Sequence, residues 1–245
     1  MPTYRKTSVA AGILFIVGLV FVLSSEGLTN PLVNAPDYLT SLSSSGNQVA
    51  VSVGALFELI AALASAGIAL TLYPVLKRSH EGLAIGAVGF RLIESVFYIV
   101  DILGFLLLLA VSQSFVKAGM PGATYYQTLG ALIKEARVWV NYSFAVSAFG
   151  LGAMMYYAVM YRARLVPRWL AGWGFVGAAC ALVMAVLVLF GLVPNSPPMI
   201  ILVLPIAVQE QVLAIWLLVK GFNPSAFASQ ATSASIPAAK VSVSS

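Results

Sequence analysis

The sequence predicts an all-α, polytopic membrane protein of about six transmembrane helices, and three observations carry that prediction. Of the 245 residues, 60% are hydrophobic and only 9% are charged, against about 45–50% and about 25% in a soluble domain. The mean hydropathy of +0.97 is more than a water-facing surface can carry. Six apolar stretches each reach the roughly 20 residues needed to cross about 30 Å of hydrocarbon, and none alternates with period two as a barrel strand would. An ordinary soluble enzyme, a disordered chain and a nucleic-acid-binding protein are excluded, despite a formal charge of +5.

The expected spans are residues 9–28, 49–73, 83–112, 138–161, 169–192 and 199–219. Breakers separate them. Asn30-Pro31 and Asn34-Ala35-Pro36-Asp37 follow the first, Pro74 stops the second, and Gly119-Met120-Pro121-Gly122 turns the chain after the third. Pro167 closes the fourth, and Pro194-Asn195-Ser196-Pro197-Pro198 divides the fifth from the sixth. The first stretch is too long for a signal-peptide core and lacks a small-x-small site close behind it, so it is expected to stay as a span.

Basic residues set the expected orientation. With the N-terminus inside, nine fall on the cytoplasmic side (Arg5, Lys6, Lys77, Arg78, Arg162, Arg164, Arg168, Lys220 and Lys240). Three fall outside, Lys117, Lys134 and Arg137, while Arg91 lies within a span. The positive-inside rule then predicts N-in, C-in. Tyr73, Tyr156, Tyr157, Tyr161, Trp169 and Trp173, near span ends, suit an interfacial belt. Tyr125, Leu129, Leu132, Ile133 and Ala136 recur at helical spacing, so this segment either extends the fourth helix or lies on the outer surface. Residues 1–222 form the transmembrane domain, and the Ser/Ala-rich residues 223–245 read as a disordered cytoplasmic tail.

Several motifs carry no chemistry. Gly172-Trp173-Gly174-Phe175-Val176-Gly177 spells the dinucleotide fingerprint, but it lacks a preceding strand and an acid about 20 residues on. Its small residues serve helix packing instead. The single Cys180 reads as a buried small hydrophobe, and the single His80, beside Glu81, as a solvated loop residue. Asn141-Tyr142-Ser143 matches a glycosylation sequon but lies inside a span. No catalytic constellation, metal site or cofactor is implied.

The informative residues are the charges inside the spans, each costing about 2.5–3.5 kcal/mol near the bilayer centre. Arg91, Glu94, Tyr98 and Asp101 are offset by 3, 7 and 10 residues, which places them on one helical stripe. Counting about 1.5 Å per residue from the span ends, Glu58, Arg91, Glu94 and Glu210 fall in one midplane layer. Glu26, Asp101, Arg137 and Asn141 fall in an outer layer. Three midplane carboxyls against one guanidinium cannot all be buried as ions, so water, a proton or a cation is expected there. Pro205, five residues before Glu210, frees a carbonyl one turn earlier.

Several segments together resemble a bacterial membrane family catalogued as domain of unknown function 4386. They are Ala11-Gly12-Ile13-Leu14, Leu72-Tyr73-Pro74-Val75-Leu76-Lys77, Gly89-Phe90-Arg91-Leu92-Ile93-Glu94 and Pro167-Arg168-Trp169-Leu170-Ala171-Gly172-Trp173-Gly174. The ending from Glu210 through Trp216 to Lys220-Gly221-Phe222 completes the likeness, which covers about residues 8–222. The resemblance implies a protein of about six spans in the bacterial cytoplasmic membrane and supplies no activity. The expected partners are the lipid bilayer and a small-molecule or ion ligand, with no nucleic acid. The expected roles are a carrier using the midplane carboxylates, or an accessory protein in which buried ion pairs fix helix register.

Overall fold

In the computed structural model the chain is described over residues 2–119, 122–193 and 198–226. Helix α1 is Pro2–Val33, a single turn α2 is Tyr38–Ser41, α3 is Ser45–Leu76 and α4 is Glu81–Ala118. Helix α5, Ala123–Val138, runs through a π-helical segment, Trp139–Ala145, into α6, Val146–Arg162. Helices α7 and α8 are Arg168–Leu189 and Pro198–Val219, and there is no strand among the described residues. Six helical units are long and apolar enough to cross a membrane, with α5, the π segment and α6 forming one of them, Ala123–Arg162. The segment that could have lain on the outer surface is therefore an extension of the fourth span.

Most spans outrun their expected ends. Pro31 and Pro74 lie inside the last turns of α1 and α3 instead of stopping them. Each proline removes the one hydrogen bond to the carbonyl four residues before it, and each helix still runs two residues past its proline. His80 lies in the loop before α4, as expected. It is exposed, but it N-caps α4, its Nδ1 accepting the Leu83 N–H at 3.1 Å. That satisfies one of the orphan donors of the first turn. Cys180 is only partly buried. Beyond α8, Phe222 and Ala226 are buried and the Asn223 N–H donates to the Leu165 carbonyl at 2.8 Å. The expected tail is thus anchored at its start; residues 227–245, 120–121 and 194–197 lie outside the described residues.

The molecule is apolar on its outside and charged within. Helix α4 turns Leu92, Ile93, Val96, Ile99, Val100, Leu103, Leu106 and Leu107 outward while burying Arg91, Glu94, Ser95 and Asp101. Such a face is stable only against lipid, which is the physical signature of a membrane helix with an interior polar stripe. The three-residue and seven-residue offsets read from the sequence describe this stripe correctly.

Each span packs against its neighbours in chain order, and α8 returns to α1, so the six units close into a ring. Small residues set the closest approaches, as expected where lipid removes the hydrophobic drive for association. A Cβ on Gly12 of α1 would lie 2.9 Å from the Ala214 carbonyl oxygen of α8, and one on Gly177 of α7 would lie 3.1 Å from the Ile206 Cα of α8. Gly174 packs on the Tyr157 ring. The false dinucleotide fingerprint is therefore a packing stripe. At the end bearing the N-terminus, Arg5 donates to the Leu217 carbonyl (3.4 Å) and to that of Leu218, capping the orphan carbonyls of α8 with a cation. At the opposite end, α2 lies over α4, and Ser112 Oγ donates to the Leu39 carbonyl.

Candidate functional site

The intramembrane charges separate into two clusters. In the first, Arg91 Nη1 donates to Glu94 Oε2 at 3.0 Å, and Ser65 Oγ on α3 donates to the same oxygen at 2.8 Å. Arg91 Nη2 also faces Glu210 Oε1 on α8 at 3.9 Å, an oxygen that accepts the Tyr156 hydroxyl at 2.9 Å. The guanidinium stands 5.0 Å from the Phe149 ring and 5.9 Å from the Tyr156 ring, close enough for cation–π attraction in a desolvated setting. Gly152 leaves room for its stem, since a Cβ there would sit 3.3 Å from Arg91 Cγ. Three helices thus converge on one guanidinium. Arg91 and Glu94 are each 2% exposed.

A cavity of about 160 Å³ opens beside this cluster. Arg91, Glu94, Glu210, Ser65 and Tyr98 supply its polar wall, and Phe15, Leu19, Ile68, Phe149, Val203 and Ile206 its apolar one. Among the described residues Arg91 Nε has no hydrogen-bond partner, so a donor without an acceptor belongs to a residue of the wall. Glu210, with 17% of its side chain exposed, is the most accessible of the three charged groups. Beneath it, the Tyr157 hydroxyl donates to Gln209 Oε1, and Gln209 Nε2 to the Leu170 carbonyl at 3.0 Å. That chain of bonds holds the α8 turn carrying Glu210.

Glu58 does not join the midplane cluster, contrary to expectation. The register of α3 on α4 is set by Ser65 bonding Glu94 and by Ser95 Oγ donating to the Ala62 carbonyl at 2.8 Å. Glu58 precedes those α3 residues by four and seven positions, so it lies roughly 6–10 Å further toward the end away from the N-terminus. There it meets Asp101. Depth counted from the span ends failed because α3 and α4 do not end level: Gln113 lies against Gln48, and α4 continues to Ala118.

The second cluster therefore holds Glu26, Glu58, Asp101, Arg137 and Asn141. Arg137 Nη2 and Asn141 Nδ2 both donate to Asp101 Oδ2, at 2.8 and 3.4 Å. Glu26 accepts the Asn30 amide at 2.6 Å and the Tyr142 hydroxyl at 3.4 Å. Asn141 and Tyr142 belong to the π-helical segment, while Ser143 beside them donates to the Ala185 carbonyl at 3.0 Å. A π turn rephases the side chains along a helix, and such turns recur at functional positions. The Arg137 guanidinium stacks 3.3 Å from the Phe105 ring centre, in a slot left by Gly104.

Sequence reasoning missed Tyr156 and Tyr157. Both read as interfacial belt residues, yet both are fully buried and hydrogen-bonded to Glu210 and Gln209. Their distance from Arg162 places them inside the apolar zone, and two adjacent tyrosines at that depth need partners. Ser65 carried no signal beyond being polar within a span. Among the described residues, no group of three or more His, Cys, Asp or Glu is placed to hold a metal ion.

The fold and its inward charges define a polytopic helical membrane protein with a charged interior and a cavity beside one of its two clusters. The chain belongs to the family described as a domain of unknown function, DUF4386, whose model matches residues 10–221. No curated protein and no solved structure matches the chain.

Proposed function

We propose that the protein is a carrier-type binding protein of the bacterial cytoplasmic membrane, oriented N-in and C-in, whose ligand is a small amphiphilic cation held in the midplane cavity. One observation carries the reading: a cavity of about 160 Å³ with mostly apolar walls faces two carboxyls and a single guanidinium. An engineered apolar cavity of about 150 Å³ accepts benzene, so the volume suits a ligand of that order. The excess carboxyl favours a positive group, and the Phe15, Phe149 and Tyr98 rings at the wall favour a cation with an apolar body. The partners are then the lipid bilayer and this small molecule. The orientation rests on the nine-to-three distribution of basic residues.

The fixed pairing of Arg91 and Ser65 onto Glu94 favours a second reading, an accessory protein in which the cluster only sets helix register. Binding calorimetry separates the two. Benzylamine is titrated into purified protein in dodecyl maltoside micelles, and into the Glu210→Gln variant. A charge-assisted contact contributes about 1.5–3 kcal/mol, so the carrier reading expects the variant to bind roughly 10- to 100-fold more weakly. Equal binding by both proteins, or none by either, leaves the register reading.

A further inference from the structure

The second cluster contains two buried carboxyl oxygens, Glu58 Oε1 and Asp101 Oδ1, without a hydrogen-bond partner among the described residues. Glu58 and Asp101, 3% and 1% exposed, have their carboxyls within hydrogen-bonding reach of each other. Both nearby donors, Arg137 and Asn141, converge on Asp101 Oδ2. Asp101 Oδ1 and Glu58 Oε1 are buried with no donor among the described residues. Two ionised carboxylates in contact, away from water, repel and leave both oxygens unsatisfied. We propose that Glu58 and Asp101 form a proton-binding site, in which the Glu58 carboxyl keeps its hydrogen and donates it to Asp101.

The surrounding groups fit one retained proton. Arg137, from α5, neutralises the Asp101 charge at 2.8 Å. Glu26, from α1, is engaged by Asn30 and Tyr142 and brings no donor to the pair. From the π segment, Asn141 adds an amide donor to Asp101, and Tyr142 turns its hydroxyl to Glu26. Tyr98, on α4 with Asp101, lines the cavity and lies near enough to interact with Glu58 as well as with Glu94, Arg91 and Glu210. A metal ion is the poorer ligand, because the described residues offer no set of three or more His, Cys, Asp or Glu for one. The site does not depend on what the cavity binds.

Infrared spectroscopy of the purified full-length protein in phosphatidylcholine vesicles at pH 7 tests the assignment. Wild type is expected to show a protonated-carboxyl carbonyl band that both Glu58→Gln and Asp101→Asn remove, while Glu210→Gln leaves it in place. Each of the first two substitutions supplies an amide donor where the hydrogen stood, so both variants are expected to fold. In wild type the same band is expected to disappear as pH rises and the shared proton is stripped. A wild-type spectrum without the band overturns the proposal with no variant needed. So does a band that persists in both Glu58→Gln and Asp101→Asn.

Discussion

Replacing Arg91 with methionine is expected to destabilise the protein by about 3–5 kcal/mol, the cost of leaving a buried ion without its partner. Arg91 is the only cation within reach of Glu94 at 3.0 Å and Glu210 at 3.9 Å among the described residues. Its removal strands two carboxyls, one of them 2% exposed. For a chain of this size that loss lowers the unfolding midpoint by roughly 6–20 °C, measured by thermal unfolding in dodecyl maltoside micelles. The deficit should shrink as pH falls, because protonating the stranded carboxyls removes the charges that the arginine had balanced. The double variant Arg91→Met with Glu94→Met should recover most of the stability, since apolar groups of similar volume can replace a buried pair at little cost. A double variant as unstable as the single would mean that the pair is not the energetic unit.

Replacing Arg137 with methionine should be comparably costly, again about 3–5 kcal/mol, for a related reason at the other cluster. The guanidinium bonds Asp101 at 2.8 Å and stacks on Phe105, and its stem fills the slot over Gly104. Without it, Asp101 Oδ2 retains only the longer Asn141 contact among the described residues. Arg137→Lys restores a charge but not the planar stacked group, so it should recover only part of the loss. The same thermal measurement reads all three proteins. Equal midpoints for wild type and Arg137→Met would remove the electrostatic account of this cluster.

The outline of the fold was legible because the bilayer imposes a length and a composition that no other environment tolerates. The six spans, the single-faced stripe on α4 and the packing role of Gly174 and Gly177 all follow from hydropathy, helical spacing and small-residue placement. The partnering of Arg91 with Glu94 was legible too, being local in sequence. Register between helices was not. Glu58 was misplaced by one layer because nothing in the sequence says that Ser65 faces Glu94 and Ser95 the Ala62 carbonyl, and that register shifts the charge balance. The midplane then has two carboxyls per guanidinium, and the three-to-one excess moves to Glu26, Glu58 and Asp101 around Arg137. The π-helical segment was invisible for a similar reason. Residues 139–145 have no distinctive composition, and the wider turn is selected by what Asn141, Tyr142 and Ser143 meet on other helices.

The cavity is expected to select its ligand by positive charge on an apolar body. Competition among three probes of one size tests it most directly: benzylamine, benzyl alcohol and benzoate, titrated into the wild-type protein at pH 7. The two-carboxyl wall predicts benzylamine binding at least about tenfold tighter than benzyl alcohol, a difference of about 1.4 kcal/mol, with benzoate weakest. Benzoate binding as tightly as benzylamine, or an order that ignores charge, would contradict it.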